Sequence, residues 1–166
     1  GCSGSSYAVD GALSSQTSMA ISPRNGHIAY IAGAFVVIYG MKSSRQEKFL
    51  KNIKNRAFQC LDFSPDGAFL AAGASCMKFP EITIWSISET DKGRNIYKIS
   101  HTLVGHRFGI QSLHFSPNSN FLVSIGDSND KGIFVWDTKT GSGASSQPEN
   151  GQGDSLENQF KIVSSN

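Results

Sequence analysis

The 166-residue sequence predicts an all-β fold of three repeated units, each a four-stranded antiparallel sheet, on three observations. First, residues 113–137 read L-H-F-S-P-N-S-N-F-L-V-S-I-G-D-S-N-D-K-G-I-F-V-W-D, short apolar runs separated by clusters of Pro, Asn, Asp and Ser. Phe, Val, Ile and Trp fill a pleated surface, and the polar clusters turn the chain. Second, the scheme recurs. Residues 61–87 repeat it as L-D-F-S-P-D-G-A-F-L-A-A-G, a loop, and I-T-I-W-S-I. A fainter upstream copy runs A-I-S-P-R-N-G, H-I-A-Y-I-A-G, A-F-V-V-I-Y, with Tyr39 in the place of the tryptophan. Third, no segment keeps a helical period, and a charged fraction of 17% with many Gly and Ser suits turn-rich β structure.

Taken in order, residues 1–16 have little apolar content and are expected to form a flexible lead. Residues 17–22 read as the inner strand of the first unit, and 27–32 with 34–39 as a hairpin about Gly33. The second arm of that hairpin is almost continuously apolar, as expected of a strand covered on both faces. Residues 45–50 alternate polar and apolar and make the outer, partly wet strand. The second unit opens at 57–63, turns at Ser64-Pro65-Asp66-Gly67, and after Gly73 enters a loop carrying Met77, Lys78, Phe79 and Pro80. In that turn Pro presets φ at the second position, and Asp-Gly suits the two positions after it. Residues 82–87 are the next strand, 88–95 an exposed hairpin extension, and 97–103 the outer strand.

In the third unit, Leu113 and Phe115 end the first strand, 116–119 turn, 121–125 form the second strand and 133–136 the third. Beyond Gly141 the composition becomes rich in Gly, Ser, Gln and Asn, and 142–158 is expected to be a disordered insertion. Residues 159–166 turn apolar again at Phe160, Ile162 and Val163 and are read as the partial outer strand of the third unit.

A Gly105-His106 pair stands just upstream of the third unit, and Trp136-Asp137 closes it. That combination resembles the WD-repeat blade of a β-propeller. The clear copies lie about 50 residues apart against roughly 40–45 for this repeat, and the polar stretch 88–94 accounts for the excess. Propellers usually close with about four to eight blades. The expectation is therefore a β-propeller fragment of about three WD-repeat blades, with an apolar face open at each end. The resemblance also implies a buried hydrogen-bonded tetrad of His106, Ser124, Asp130 and Trp136. In it the histidine bridges a hydroxyl and a carboxylate, and the indole N–H donates to the hydroxyl. The second blade departs from the pattern: Ala72 replaces the hydroxyl, Glu81 precedes the strand, and Lys54-Asn55-Arg56 stands where Gly-His would be. The first two blades are thus expected to depend more on packing.

A net charge of +2 with scattered carriers suggests no nucleic-acid or membrane partner. No apolar run approaches the roughly 18 residues of a membrane span, and no signal peptide is visible. Cys2, Cys60 and Cys76 have no paired spacing, which suggests a reducing, cytoplasmic setting. His101, His106 and His114 with Cys60 and Cys76 lack the tight pairs of a structural zinc site, so no metal is expected. Neither a phosphate-binding loop nor any other cofactor motif appears. A Ser, a His and an Asp together raise a hydrolase triad. Ser124, however, lies mid-strand beneath the tryptophan without a nucleophile elbow. No enzyme activity and no small-molecule substrate are therefore expected. One surface signal remains. Loops on one propeller face bring Arg56, Lys78, Phe79, Arg107 and Phe108 to one side, with Lys51 and Lys54 nearby. Basic plus aromatic residues suit an acidic or phosphorylated peptide.

Within the WD-repeat class, G-H-I-A-Y-I-A-G-A-F-V-V-I-Y, R-Q-E-K-F-L and C-L-D-F-S-P-D-G-A-F-L-A-A-G carry a closer resemblance, continued by V-G-H-R-F-G-I-Q-S-L-H-F-S-P-N, F-L-V-S-I-G and F-K-I-V-S-S-N. They resemble the N-terminal propeller of the mitogen-activated protein kinase-binding WD-repeat scaffolds, including the centrosomal microcephaly-associated member. Ciliary WD-repeat proteins and the echinoderm-microtubule-associated-protein-like family share similar propellers, and the segments 88–95 and 142–158 fit none of them cleanly. The resemblance implies non-catalytic scaffolding, with c-Jun N-terminal kinase signalling or spindle-pole proteins as partners. It places the protein in the cytoplasm, at the centrosome or on the cytoskeleton. The kinase-docking segments of that family lie outside the propeller. The alternative is a ciliary or microtubule-associated structural protein.

Overall fold

The computed structural model describes residues 18–75, 78–146 and 161–163. The expected flexible lead, Cys2, Cys76, Met77 and most of the low-complexity run lie outside the described residues. The described residues form three antiparallel meanders and no helix. The first blade is β1 (Met19–Ile21), β2 (Ile28–Ala32), β3 (Phe35–Gly40) and β4 (Arg45–Lys51); the second is β5 (Phe58–Phe63), β6 (Phe69–Ala74), β7 (Glu81–Glu89) and β8 (Asn95–Val104). The third comprises β9 (Ile110–Phe115), β10 (Phe121–Gly126), β11 (Ile133–Asp137), β12 (Gly143–Ser146) and β13 (Lys161–Val163). The first strands of the blades lie side by side, with β5 packed between β1 and β9. This is the all-β, bladed architecture expected of a partial propeller.

The middle blade shows why its strands are apolar on both faces. Successive side chains of a strand point to opposite faces. Cys60, Ala71 and Ile84 accordingly join Ile110, Leu113, Leu122, Phe134 and Trp136 in one core. Their neighbours Leu61, Leu70, Ala72 and Trp85 join Ala29, Val36, Ile38 and Leu50 in the other. Small residues on β6 let the blades approach; Ala71, Ala72 and Ala74 have no exposed surface.

Polar ties then set the angle between blades. Arg24 Nε donates to the Asp66 carbonyl at 2.7 Å, and the Asp66 N–H donates to Ser119 Oγ at 3.0 Å, linking the first-to-second-strand turns of all three blades. Asp62 Oδ2 on β5 accepts the Phe115 N–H of β9 at 2.9 Å. The turns of the second and third blades share one mechanism. Ser64 Oγ accepts the Phe69 N–H at 2.8 Å, and Ser116 Oγ accepts the Phe121 N–H at 3.0 Å. Each serine hydroxyl thus closes its turn across the hairpin.

The third blade corrects one expectation. The sequence reading sets 142–158 apart as an insertion and gives the outer strand to 159–166. In the structure Gly143–Ser146 is already the fourth strand, paired to β11 from Trp136↔Gly143 to Ile133↔Ser146, and Lys161–Val163 adds a fifth outside it. The cause is local. Asp137 Oδ1 accepts the N–H groups of Lys139 and Thr140 at 2.8 and 2.9 Å, and Gly141 takes φ 71°, so the chain reverses at once. Gly143 then lies under the Trp136 ring, where a Cβ would come within 2.3 Å of the indole. Composition alone reads such small polar residues as linker; the turn and the close approach make them strand. The extension at 88–95, by contrast, is a continuation of β7 and β8, paired out to Glu89↔Asn95.

Candidate functional site

The hydroxyl, imidazole, carboxylate and indole singled out in the third blade meet in one chain of hydrogen bonds. Gly105 and His106 leave β8, Ser124 sits mid-β10, Asp130 in the β10–β11 loop and Trp136 on β11. Trp136 Nε1 donates to Ser124 Oγ at 2.9 Å, Ser124 Oγ lies 2.8 Å from His106 Nε2, and His106 Nδ1 lies 2.7 Å from Asp130 Oδ1. One tautomer satisfies every group: Nδ1–H donates to the carboxylate and Nε2 accepts the serine proton. Asp130 Oδ2 also accepts the N–H groups of Arg107 and Phe108 at 2.6 and 3.0 Å. The network thus ties the loop ahead of β9 to the two central strands.

Packing seals it. The His106 ring stands edge-on to Phe134 at 4.5 Å, and Phe134 stacks on Trp136 at 5.3 Å. A Cβ at Gly105 would come within 2.6 Å of Phe134, which explains a glycine before this histidine. Burial pushes the His106 pKa below its ordinary value, although Asp130 and Asp127 pull the other way; the shift favours the neutral ring. Burial would raise Asp130, but the hydrogen bonds from His106 and from the Phe108 and Arg107 amides hold it below the usual carboxylate range.

The connectivity is that of a Ser–His–Asp triad, so access decides what it can do. Ser124 has no exposed surface and His106 only 1%. The serine oxygen already accepts the indole N–H, and no substrate atom can reach it. The arrangement locks the blade.

The second blade substitutes a different tie. Ala72 occupies the hydroxyl position, and Lys54 Nζ pairs with the largely buried Glu81. Both residues stand out in the sequence as departures from the repeat, but their pairing is a finding of the structure. The legible signal was a carboxylate at the head of a strand whose first half, Glu81 to Trp85, is buried, where a charge needs a partner. Asp62 was also missed. Burial raises its pKa, against the opposing Phe115 amide and His114.

The loop face also comes together. Arg56 Nη1 donates to the carbonyls of Lys78 and Phe79 at 3.4 and 3.2 Å, and the Phe79 N–H donates to the Arg107 carbonyl at 3.0 Å. Arg56 is therefore a brace for this loop, where the sequence reading had it facing a partner. Phe79 adopts φ 54°, a left-handed conformation uncommon outside glycine, and is 59% exposed. Phe108, next to Arg107 in sequence, is 43% exposed. Among the described residues no carboxylate pairs with Lys78 or Arg107.

Comparison with known proteins agrees with the bladed fold. A family model described as "WD domain, G-beta repeat" matches residues 48–77 and 97–137. Centriole proteome protein 16 of Chlamydomonas reinhardtii is 26% identical over 157 residues, covering 75% of this chain and 7% of that protein. Mitogen-activated protein kinase-binding protein 1 of Mus musculus is 30% identical over 92 residues, covering 55% of this chain and 6% of that protein. The chain thus spans a small part of either relative. Hydrazine synthase of Kuenenia stuttgartiensis superposes with a TM-score of 0.59 at 15% identity, over 80% of this chain and 44% of that one, a likeness of fold alone. The described residues are blades of a WD-repeat propeller, and the chain resembles the mitogen-activated protein kinase-binding WD-repeat family.

Proposed function

We propose that the chain is a non-catalytic protein-interaction scaffold that receives its partner on the loop face carrying Lys78, Phe79, Arg107 and Phe108. The observation that carries this reading is Phe79: a large aromatic held in solvent on left-handed backbone, clamped by Arg56 and the Arg107 carbonyl. Such backbone costs on the order of 1–3 kcal/mol and persists where surroundings over-determine it, commonly at binding sites. A backbone-held exposed aromatic beside cations that pair with no carboxylate among the described residues buries apolar area at little entropic cost and adds a fork for carboxylate or phosphate. The buried state of Ser124 and His106 supports the absence of catalysis. The name of the mouse relative supports a kinase-pathway partner. That of the algal relative supports a second reading, a centriolar or microtubule-associated structural role, with the protein on the cytoskeleton.

Arg107→Glu with Phe108→Ala should abolish capture of the partner and leave the melting temperature nearly unchanged. Immobilised c-Jun N-terminal kinase and polymerised tubulin are the two baits that separate the readings. If deletion of 147–158 kills capture while the double substitution spares it, the loop-face assignment fails.

A further inference from the structure

A recess lies between the β3–β4 hairpin of the first blade and the β7–β8 extension of the second. It is a groove of about 660 Å³. Its walls are of different origin. On the first blade the register shifts between Ile38↔Lys48 and Tyr39↔Gln46, leaving Glu47 as the extra residue of a bulge in β4, and the consecutive residues Arg45, Gln46, Glu47 and Lys48 all line the groove. An extra residue in a strand re-aims its side chains, and bulges are common beside functional sites. On the second blade the wall exists only because β7 and β8 run on to Glu89 and Asn95, bringing Gly93, Arg94 and Asn95 opposite β4. The extension that sets this repeat apart in the sequence thus builds the recess.

The charge of the groove is one-sided. Lys42, Arg45, Lys48 and Arg94 line it, and among the described residues none pairs with a carboxylate. The single lining carboxylate, Glu47, is already engaged. It accepts Ser43 Oγ at 2.7 Å and lies 3.7 Å from His27 Nδ1. Four cations against one carboxylate exceed the net +2 of the whole chain. The cations come from both walls, Lys42, Arg45 and Lys48 on the first blade and Arg94 on the second, and this spread along the groove suits charges spaced along a chain. Alternate residues of an extended peptide recur about every 6.5–7 Å. Asn95 and Gln46 add amides for peptide groups, and Tyr97 lines the same recess.

We propose that this groove docks a short acidic segment of a partner protein, in extended conformation, between the first two blades. The proposal is independent of the loop-face reading, since it uses none of its residues. The test is fluorescence anisotropy with the full chain and a labelled short peptide of alternating Glu and Ser. The peptide should bind, and should weaken as salt shortens the screening length. Arg45→Glu with Lys48→Glu, on one wall, and Lys42→Glu with Arg94→Glu, on the other, should each weaken it at least about tenfold. Lys139→Glu, a charge reversal in the third blade, should leave binding unchanged. All these side chains are exposed, so melting curves should match the parent. The proposal fails if the peptide does not bind, or if Lys139→Glu weakens it as much as the groove pairs do. It also fails if single-stranded DNA competes as tightly and is lost in the same variants, because the patch would then hold any polyanion.

Discussion

Removing His106 probes whether the buried chain of the third blade acts as one unit. His106→Ala strips the hydroxyl proton of the fully buried Ser124 of its acceptor, at a cost of about 1–3 kcal/mol for a stranded group. It also deletes the edge contact with Phe134, worth about 0.5–1.5 kcal/mol. Asp130 suffers less, since Oδ1 keeps the Gly132 N–H at 3.0 Å and Oδ2 keeps two amides. The loss should therefore be about 2–4 kcal/mol in urea unfolding followed by tryptophan fluorescence. Ser124→Ala alone strands two groups, Trp136 Nε1–H and His106 Nε2. In the His106→Ala background it strands only the indole and removes the orphaned hydroxyl. The double variant should thus be more stable than the sum of the singles predicts, by about 1 kcal/mol or more. Strict additivity would falsify the coupled network.

Trp136→Ala should cost about 3–5 kcal/mol, the usual loss for a buried aromatic, and a loss under about 1 kcal/mol would contradict its packing between Phe134 and Gly143. Gly143→Ala should destabilise by about 1–3 kcal/mol through overpacking, because a Cβ meets the indole at 2.3 Å; unchanged stability would remove β12 from its place beside Trp136. The folded His106 pKa lies below its ordinary 6.5, so the unfolded chain takes up that proton first. Its stabilisation is complete above pH 6.5 and is lost as the pH falls toward the folded value; this slope should disappear in His106→Ala. Cys60 works at the other end. Burial pushes its thiol from 9.0 up to about 12, so stability should fall as the pH rises from 9.0, and less so in Cys60→Ala.

Strand identity was legible wherever apolar runs met turn residues. The sequence by itself determined three bladed units, the hairpin about Gly33 and the turns at 64–67 and 116–119, because each depends on local chemistry or on a pattern repeated along the chain. The four residues of the buried network followed instead from the resemblance of the third unit to a WD-repeat blade, since the other two units depart from that pattern. Only the tertiary structure decided the rest. It made 143–146 a strand, since the contact that selects Gly143 is with a tryptophan across a turn and leaves no apolar trace. It paired Lys54 with Glu81 and Asp62 with the Phe115 amide, residues far apart in sequence that meet only when strands and loops pack together. It spent Arg56 on loop carbonyls, because a guanidinium beside exposed peptide groups binds them before any partner arrives. And it set two hairpins of different blades against each other to form a cationic groove. Periodicity cannot report such a groove, because it belongs to the angle between sheets and to neither sheet alone.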